Sequence, residues 1–365
     1  MLSPDVDATF QPITQAPLTQ EPLVSVLVTN YNYGRYLGQA LVSVLEQTYP
    51  NLELIVCDDG STDESTSVIS SIAQSDTRLI PIFKENAGQA SAFNAAFDEA
   101  NGEIVCFLDS DDWFVAHKLE RIVEAMRKES TGAALHRMVI RGSNGEDIQA
   151  IPTFTAPERG WLGPKVVARG GRWRWMPTSA LCLRRGVCEM AFPVPELKLR
   201  TDADTYLLML APLLATVSFI PDVLSYYRLH GENSFTTRRF TQRSAARTLT
   251  TVETAISLVN DRLTEMGMEE RLLDPSRNLE IQQQQFLSNA LSGKVSRPRL
   301  VRQYWELAPS IMRDDLYSRL QRVWALMLFL VVILLPTSLR ARWVSRSLSA
   351  SRAKERARRF FASRR

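Results

Sequence analysis

An uncharged run, Ile104-Val105-Cys106-Phe107-Leu108, breaks abruptly into Asp109-Ser110-Asp111-Asp112. The run reads as a strand buried on both faces. Three carboxylates within the next four positions cannot follow it into an apolar interior unpaired. They repel one another, so the strand must end where something positive gathers among them, and a hard divalent cation with oxygen ligands fits best. A second acidic strand end lies upstream, where Leu54-Ile55-Val56-Cys57 is followed by Asp58-Asp59-Gly60-Ser61. Open α/β sheets bind ligands outside the carboxyl ends of their strands, so two acidic strand ends suggest one polar crevice. The competing reading, in which each Asp merely caps the following turn or helix, suits either motif alone better than both together.

The order of elements agrees. Val24 to Thr29 is a β-branched run, and Asn30-Tyr31-Asn32-Tyr33-Gly34 is turn chemistry. Leu37, Leu41, Val44 and Leu45 then recur at helical spacing. A helix over 63–73, a strand over 80–83 and a helix over 90–100 precede the acidic strand. Strands alternating with helices imply a mostly parallel sheet flanked by helices on both faces.

With these motifs in place, the chain resembles glycosyltransferase family 2, whose members have the GT-A nucleotide-diphospho-sugar transferase fold. The resemblance covers residues 22–235. It rests on Val24 to Asn32, Ser43 to Thr48, Asp58 to Asp63, Asn86-Ala87-Gly88-Gln89-Ala90-Ser91-Ala92-Phe93-Asn94 and Asp109 to Asp112, in that order. It implies a nucleotide-sugar half over 22–130 and an acceptor half over 131–235. Asp109 and Asp111 match the Asp-x-Asp motif that holds a divalent metal, Mg2+ or Mn2+, and the donor diphosphate. Asp112 contacts the sugar or orients its neighbours. One of Asp58 and Asp59 meets the base or ribose, and Thr29, Asn30 and Tyr31 line the nucleotide pocket. Gln89 and Asn94 brace the floor of the site, or serve only as cap and surface amides.

In the second half, Leu199 to Tyr206 resembles the family segment that carries the general base. Inversion at an anomeric carbon needs the acceptor hydroxyl to lose its proton as it attacks, which suits a placed carboxylate. Asp202 falls on the base position and Asp204 on the second acidic position; Thr201 stands where the family has Glu. The plain alternative is an acidic first turn favouring the dipole of a helix over 203–214. Tyr226 to Ser234 resembles the Tyr-Arg-x-His loop, which makes His230 a further metal or diphosphate contact and Arg228 a phosphate partner through its planar fork. His117 and His136 read as structural. Trp161, Trp173 and Trp175 offer flat faces suited to an acceptor pyranose, with core packing as the alternative.

Four cysteines, Cys57, Cys106, Cys182 and Cys188, lack paired metal spacing and read as reduced core residues. Residues 1–21 have no basic start and no apolar run, which argues against a signal peptide; their Pro, Thr and Gln suggest a flexible N-terminal tail. A helical region is expected over 236–322. Within it Leu249, Val252, Ile256, Val259, Leu263 and Met266 form an amphipathic helix, packing on the catalytic domain or, in an oligomer, on a partner through 249–266.

Residues 323–339 form an apolar segment, and 340–365 a polybasic tail with ten Arg or Lys against one Glu, net +9. The other 339 residues hold 33 basic and 39 acidic groups, net −6, so the overall +3 hides a split. Seventeen helical residues span roughly 25 Å, just short of a hydrocarbon core, which leaves a spanning, re-entrant, interfacial or core helix open. Basic residues beside an apolar helix read as contact with anionic lipid on the cytoplasmic face of the cell membrane, rather than with nucleic acid.

The expectation is therefore a membrane-associated, metal-dependent, inverting glycosyltransferase. It moves a sugar from a UDP- or GDP-sugar to a saccharide or lipid-linked acceptor in surface polysaccharide or glycolipid assembly of the cell envelope. The alternatives are a polyprenyl-phosphate glycosyl synthase and, in another class, a catalytically silent GT-A membrane scaffold.

Overall fold

Val24–Asn30 form β1, and Val24, Val26, Leu27 and Val28 are fully buried. Such continuous apolar runs belong to strands covered on both faces. The computed structural model describes residues 10–142, 144–152, 157–230, 233 and 241–347. Beside β1 lie β2 (Leu52–Asp58) and β3 (Leu79–Phe83) on one side and β4 (Ile104–Asp109) on the other, all parallel. The connections are α1 (Gly34–Leu45), α2 (Ser65–Ser75) and α3 (Gln89–Glu99). Parallel neighbours need such crossovers. Leu37, Leu41 and Val44 of α1 and Ile69 of α2 join Val26, Val28, Leu54 and Val56 in one core.

Past β4 the sheet becomes mixed, which qualifies the expected mostly parallel arrangement. Trp113–Phe114 form the short β5 and Lys118–Glu129 form α4. Then come β6 (Ala133–Arg141), β7 (Asp147–Ile151), β8 (Cys182–Arg184) and β9 (Val217–Arg228). The order is β3-β2-β1-β4-β8-β6-β9-β5, with β7 on β6. β8 runs antiparallel to both β4 and β6, and β6 and β9 are parallel. For β7 the reason is local: it joins β6 through a short loop, which permits only an antiparallel pair.

Gly163–Ala168 form α5, Arg185–Ala191 α6, Ala203–Leu214 α7 and Gln242–Glu265 α8. Almost every residue of α7 is buried. Ile256, Val259 and Leu263 of α8 are buried within this chain, so the packing expected of 249–266 is intramolecular in the structure. Arg262 fixes that stretch by donating to the carbonyls of Met190 (2.7 Å) and Phe192 (2.9 Å).

The chain divides into two compact units. The first comprises Met1–Ala168, Trp173–His230 and Ala255–Leu273; the second comprises Arg169–Arg172, Gly231–Thr254 and Asp274–Arg365. In the first unit, residues 10–21 are not the loose tail expected of them. Phe10 is buried edge-on against Trp161 and under the Arg271 guanidinium, which also donates to the carbonyls of Leu213 and Gln11. Residues 1–9 lie outside the described residues.

The second unit holds α9 (Leu279–Ser292), α10 (Arg297–Arg313) and α11 (Arg319–Leu334). Asn278 caps α9 by accepting from Glu280 N and Ile281 N, and Ser318 and Gln321 close a capping box on α11. Phe286, Leu287, Leu300, Leu307 and Ile311 pack with Phe329, Val332 and Ile333 of α11. This corrects the apolar segment over 323–339: the helix begins at Arg319, ends at Leu334, and uses one face as protein core. Among the described residues no helix is long and apolar enough to cross a membrane. Of the polybasic tail, 348–365 lies outside the described residues.

Candidate active site

Register places the acidic ends together. Thr29 stands opposite Asp109 across the β1–β4 ladder, and Asn30 opposite Asp58 across β1–β2. Asp109, Asp111 and Asp112 each bring a carboxylate oxygen to within 4.8 Å of the others. Burial pushes the Asp109 carboxyl well above the usual range, and the charges of Asp112, Asp111 and Asp204 push it further. Burial and Asp111 do the same to Asp112. Clustered oxygen ligands whose charges destabilise one another are the donor set a hard cation relieves. The residues present thus fit a divalent metal.

The three carboxylates are not equivalent. Asp112 faces inward: Ser179 Oγ donates to its Oδ2 at 2.6 Å and Arg228 N to its Oδ1 at 3.0 Å. Asp109 N–H donates to the same Ser179 hydroxyl at 3.1 Å. Asp111 points toward His230, whose Nε2 lies 2.9 Å from its Oδ2, and Tyr36 and Tyr33 flank the imidazole. Arg228 donates Nε to the Asp111 carbonyl (2.8 Å) and Nη2 to Gln39 (2.6 Å), with its plane over Trp113 and Tyr36. The 228–230 strand end is thereby tied to the acidic motif.

Asp204 joins the cluster from α7. Thr178 Oγ1 donates to its Oδ2 at 2.9 Å and also supports Asp109, so Thr178 links the two halves of the site. Burial raises the Asp204 carboxyl, and Asp202 adds to the rise. Asp202 itself is the N-cap of α7 and holds a left-handed backbone, φ 66°. Asp tolerates that region better than most residues, yet it is sparsely populated and concentrates at functional sites.

Asp58 and Asp59 have protein partners. Asp58 accepts from Asn30 Nδ2 (2.7 Å) and Ser61 N (2.8 Å). Asp59 accepts from Lys84 Nζ (2.8 Å), Ala87 N (2.9 Å) and Gly88 N (2.7 Å). Both carboxylates are buried and brace loops. The loop held by Asp59 reaches the second half: Gln89 N donates to Arg200 O, and Gln89 Oε1 accepts from Ala203 N. Asn94 pairs with both backbone groups of Val194. The two amides therefore anchor the segment that leads into Asp202. Tyr31 is exposed at the end of β1, Thr29 is half-buried, and the amide oxygen of buried Asn30 has no partner among the described residues.

Trp173 is a correction. It is buried, and its indole N–H donates to Leu208 O at 2.8 Å, so it offers no face to an acceptor. Trp161 is likewise committed, donating to Phe10 O. Trp175 is half-buried. Thr178 and Ser179, in the 3-10 turn Thr178–Ala180, were not singled out in the sequence. Nor was Lys118, buried under the site, whose Nζ donates to Ser179 O at 2.8 Å over the Phe114 ring. His136 is buried beside them, its Nε2 3.4 Å from Ser225 Oγ. Burial lowers both Lys118 and His136. The four cysteines are free and buried.

A mixed α/β sheet with an acidic cluster at its strand ends and Asp204 reaching it from the start of α7 has the arrangement of a GT-A-like fold. The model of glycosyl transferase family 2 matches residues 25–184. An uncharacterized glycosyltransferase of Nostoc sp. is 34% identical over 309 residues, which is 84% of this chain and 94% of the relative. The chain belongs to glycosyl transferase family 2 and is a glycosyltransferase. WfgD of Escherichia coli, a UDP-Glc:α-D-GlcNAc-diphosphoundecaprenol β-1,3-glucosyltransferase, is 36% identical over 138 residues, covering 38% of this chain and 52% of that protein. The crystal structure of S. aureus TarS 1-349 in complex with UDP-GlcNAc superposes with a TM-score of 0.55 at 19% identity, over 90% of this chain and 92% of that one. It shares the GT-A-like fold.

Proposed function

We propose that this chain transfers a sugar, with inversion, from a nucleoside-diphosphate sugar to a saccharide or lipid-linked acceptor in surface polysaccharide or glycolipid assembly, and that a divalent cation is required. The observation that carries the reading is the gathering of Asp109, Asp111 and Asp112 within 4.8 Å, with Asp204 tied to Asp109 through Thr178. Asp109 and Asp111 would hold Mg2+ or Mn2+, with His230 beside Asp111. Such an ion supplies Lewis-acid neutralisation of a departing diphosphate.

The chain's own groups do the rest. Asp112 and Ser179 fix the strand end, and Arg228 locks the 228–230 segment onto it. Exposed Tyr31 and half-buried Thr29 would line the nucleotide at the end of β1, with buried Asn30 bracing Asp58 beneath them. Asp202 takes the proton of the acceptor hydroxyl as that oxygen bonds to the anomeric carbon and the bond to the diphosphate oxygen breaks. Asp204, held by Thr178, positions the turn. The uridine nucleotides in the names of WfgD and of the TarS complex make UDP-sugars the first donors to test.

The test is a panel of UDP- and GDP-sugars incubated with the protein and Mn2+ or Mg2+, followed by release of free nucleotide. Slow hydrolysis of one donor that stops in excess EDTA is expected. Undiminished turnover in EDTA would sink the metal requirement.

A further inference from the structure

The helix α11 is two-faced. Ala325, Leu328, Phe329, Val332 and Ile333 are buried, most of them in the core that α11 shares with α9 and α10. On the opposite arc stand Leu320, Val323, Trp324, Met327, Leu330 and Leu334, which the helical period brings to one side. They are exposed, Leu320 to 70%, Val323 to 57%, Met327 to 54% and Leu334 to 67%. At 100° per residue they fill an arc of about 120° that contains no charged side chain. A contiguous apolar strip of this kind on the surface marks a docking site.

Basic residues open the helix and follow it in the chain. Arg319 opens the helix, and exposed Arg342 and Arg346 flank exposed Trp343 in the helical residues 337–347. Residues 348–365 add seven Arg or Lys against one Glu. A second copy of this chain would bring the same positive charge against itself. An anionic bilayer instead supplies both an apolar boundary and negative headgroups.

We infer that the exposed face of α11 lies in the plane of an anionic lipid surface, with its apolar arc at the headgroup–acyl boundary and the basic side chains of Arg319, Arg342 and Arg346 on the headgroups. An apolar arc flanked by Arg and Trp is the pattern of monotopic helices. Among the described residues no helix, α11 included, is long and apolar enough to cross a membrane, which leaves the interface plane. The inference goes beyond the proposed transfer reaction, and its test uses neither donor nor acceptor, so either reading can fail alone.

The experiment is flotation of the full chain with vesicles of phosphatidylcholine alone and with added phosphatidylglycerol. The wild type should float with the anionic vesicles and bind neutral ones about tenfold more weakly or worse, since each basic residue at such a surface adds substantially. Val323→Asp with Met327→Asp should lose binding about tenfold or more, while the melting temperature holds, because both side chains are exposed. A chain ending at Ser347 should bind anionic vesicles more weakly and with less salt dependence. Wild type that binds neither vesicle overturns the inference. So does tighter binding after tail removal, which would make the tail the cover of this face. A wild-type dimer dissolved by the double variant, without vesicle binding, would assign the face to a second copy instead.

Discussion

Replacing Asp111 by Asn has opposite consequences for the unliganded fold and for the reaction. In the unliganded protein Asp111 adds a like charge to half-buried Asp109 and buried Asp112. Removing that charge should hold or raise the melting temperature without metal. Mn2+ should raise the wild-type melting temperature, since a ligand at about 100 times its Kd stabilises by roughly 2.7 kcal/mol, and should do little for Asp111→Asn. Scanning calorimetry of both proteins with and without Mn2+ reads this; a variant that Mn2+ stabilises as much as the wild type would remove Asp111 from the ligand set. Transfer by the variant should fall about 100-fold or more. At the start of α7, Asp202→Asn should leave donor affinity nearly unchanged and collapse turnover with acceptor, because a proton acceptor acts only in the transition state. If Asp204→Asn is the inactive variant and Asp202→Asn stays active, the base is two residues away. The residues hardest to read from sequence were those whose role depends on a distant partner. Asp58 and Asp59 are adjacent and acidic, yet their oxygens go to Asn30, Ser61, Lys84 and the 87–88 backbone. Trp173 reads the same whether its ring meets a sugar or its N–H meets Leu208 O.

Among elements, the loop before α3 carries a mechanical link between the two halves of the site. Gly88 sits at φ +100°, and a Cβ there would come 2.7 Å from the Arg200 backbone. Asp59 holds its N–H, and Arg200 Nη2 donates to Asn86. Gly88→Ala must push the 200–203 segment away, so it should cost about 1–3 kcal/mol of stability from the backbone conformation alone. It should also lower turnover more than donor affinity, because the displaced segment carries Asp202. Melting temperature and the KM-against-kcat split measure the two effects; unchanged kinetics would mean the contact is packing only. The β-α alternation through β4 was legible because period and turn chemistry repeat there. The antiparallel part was not: β8 has three residues, too few for a period. The apolar run over 323–335 looked uniform, yet Ala325, Phe329 and Val332 face protein while Val323, Met327 and Leu330 face outward. Only the helical period separates the two sets.

For the whole molecule, the acidic strand ends were readable as a site because charge density after an apolar strand has few physical outlets. Thr178 and Ser179, which join Asp204, Asp109 and Asp112, carry no such signal; their importance comes from a 3-10 turn that chain folding brings beside β4. The central claim is that a cation held by Asp109 and Asp111 recruits the donor nucleotide. Calorimetric titration of UDP and GDP into wild type and Asp111→Asn, each in Mn2+ and in EDTA, tests it most directly. One nucleotide should bind the wild type in Mn2+ and about tenfold more weakly in EDTA, and Asp111→Asn should bind it weakly in both. Equal wild-type affinity in Mn2+ and EDTA, or full manganese-dependent binding by Asp111→Asn, would contradict it.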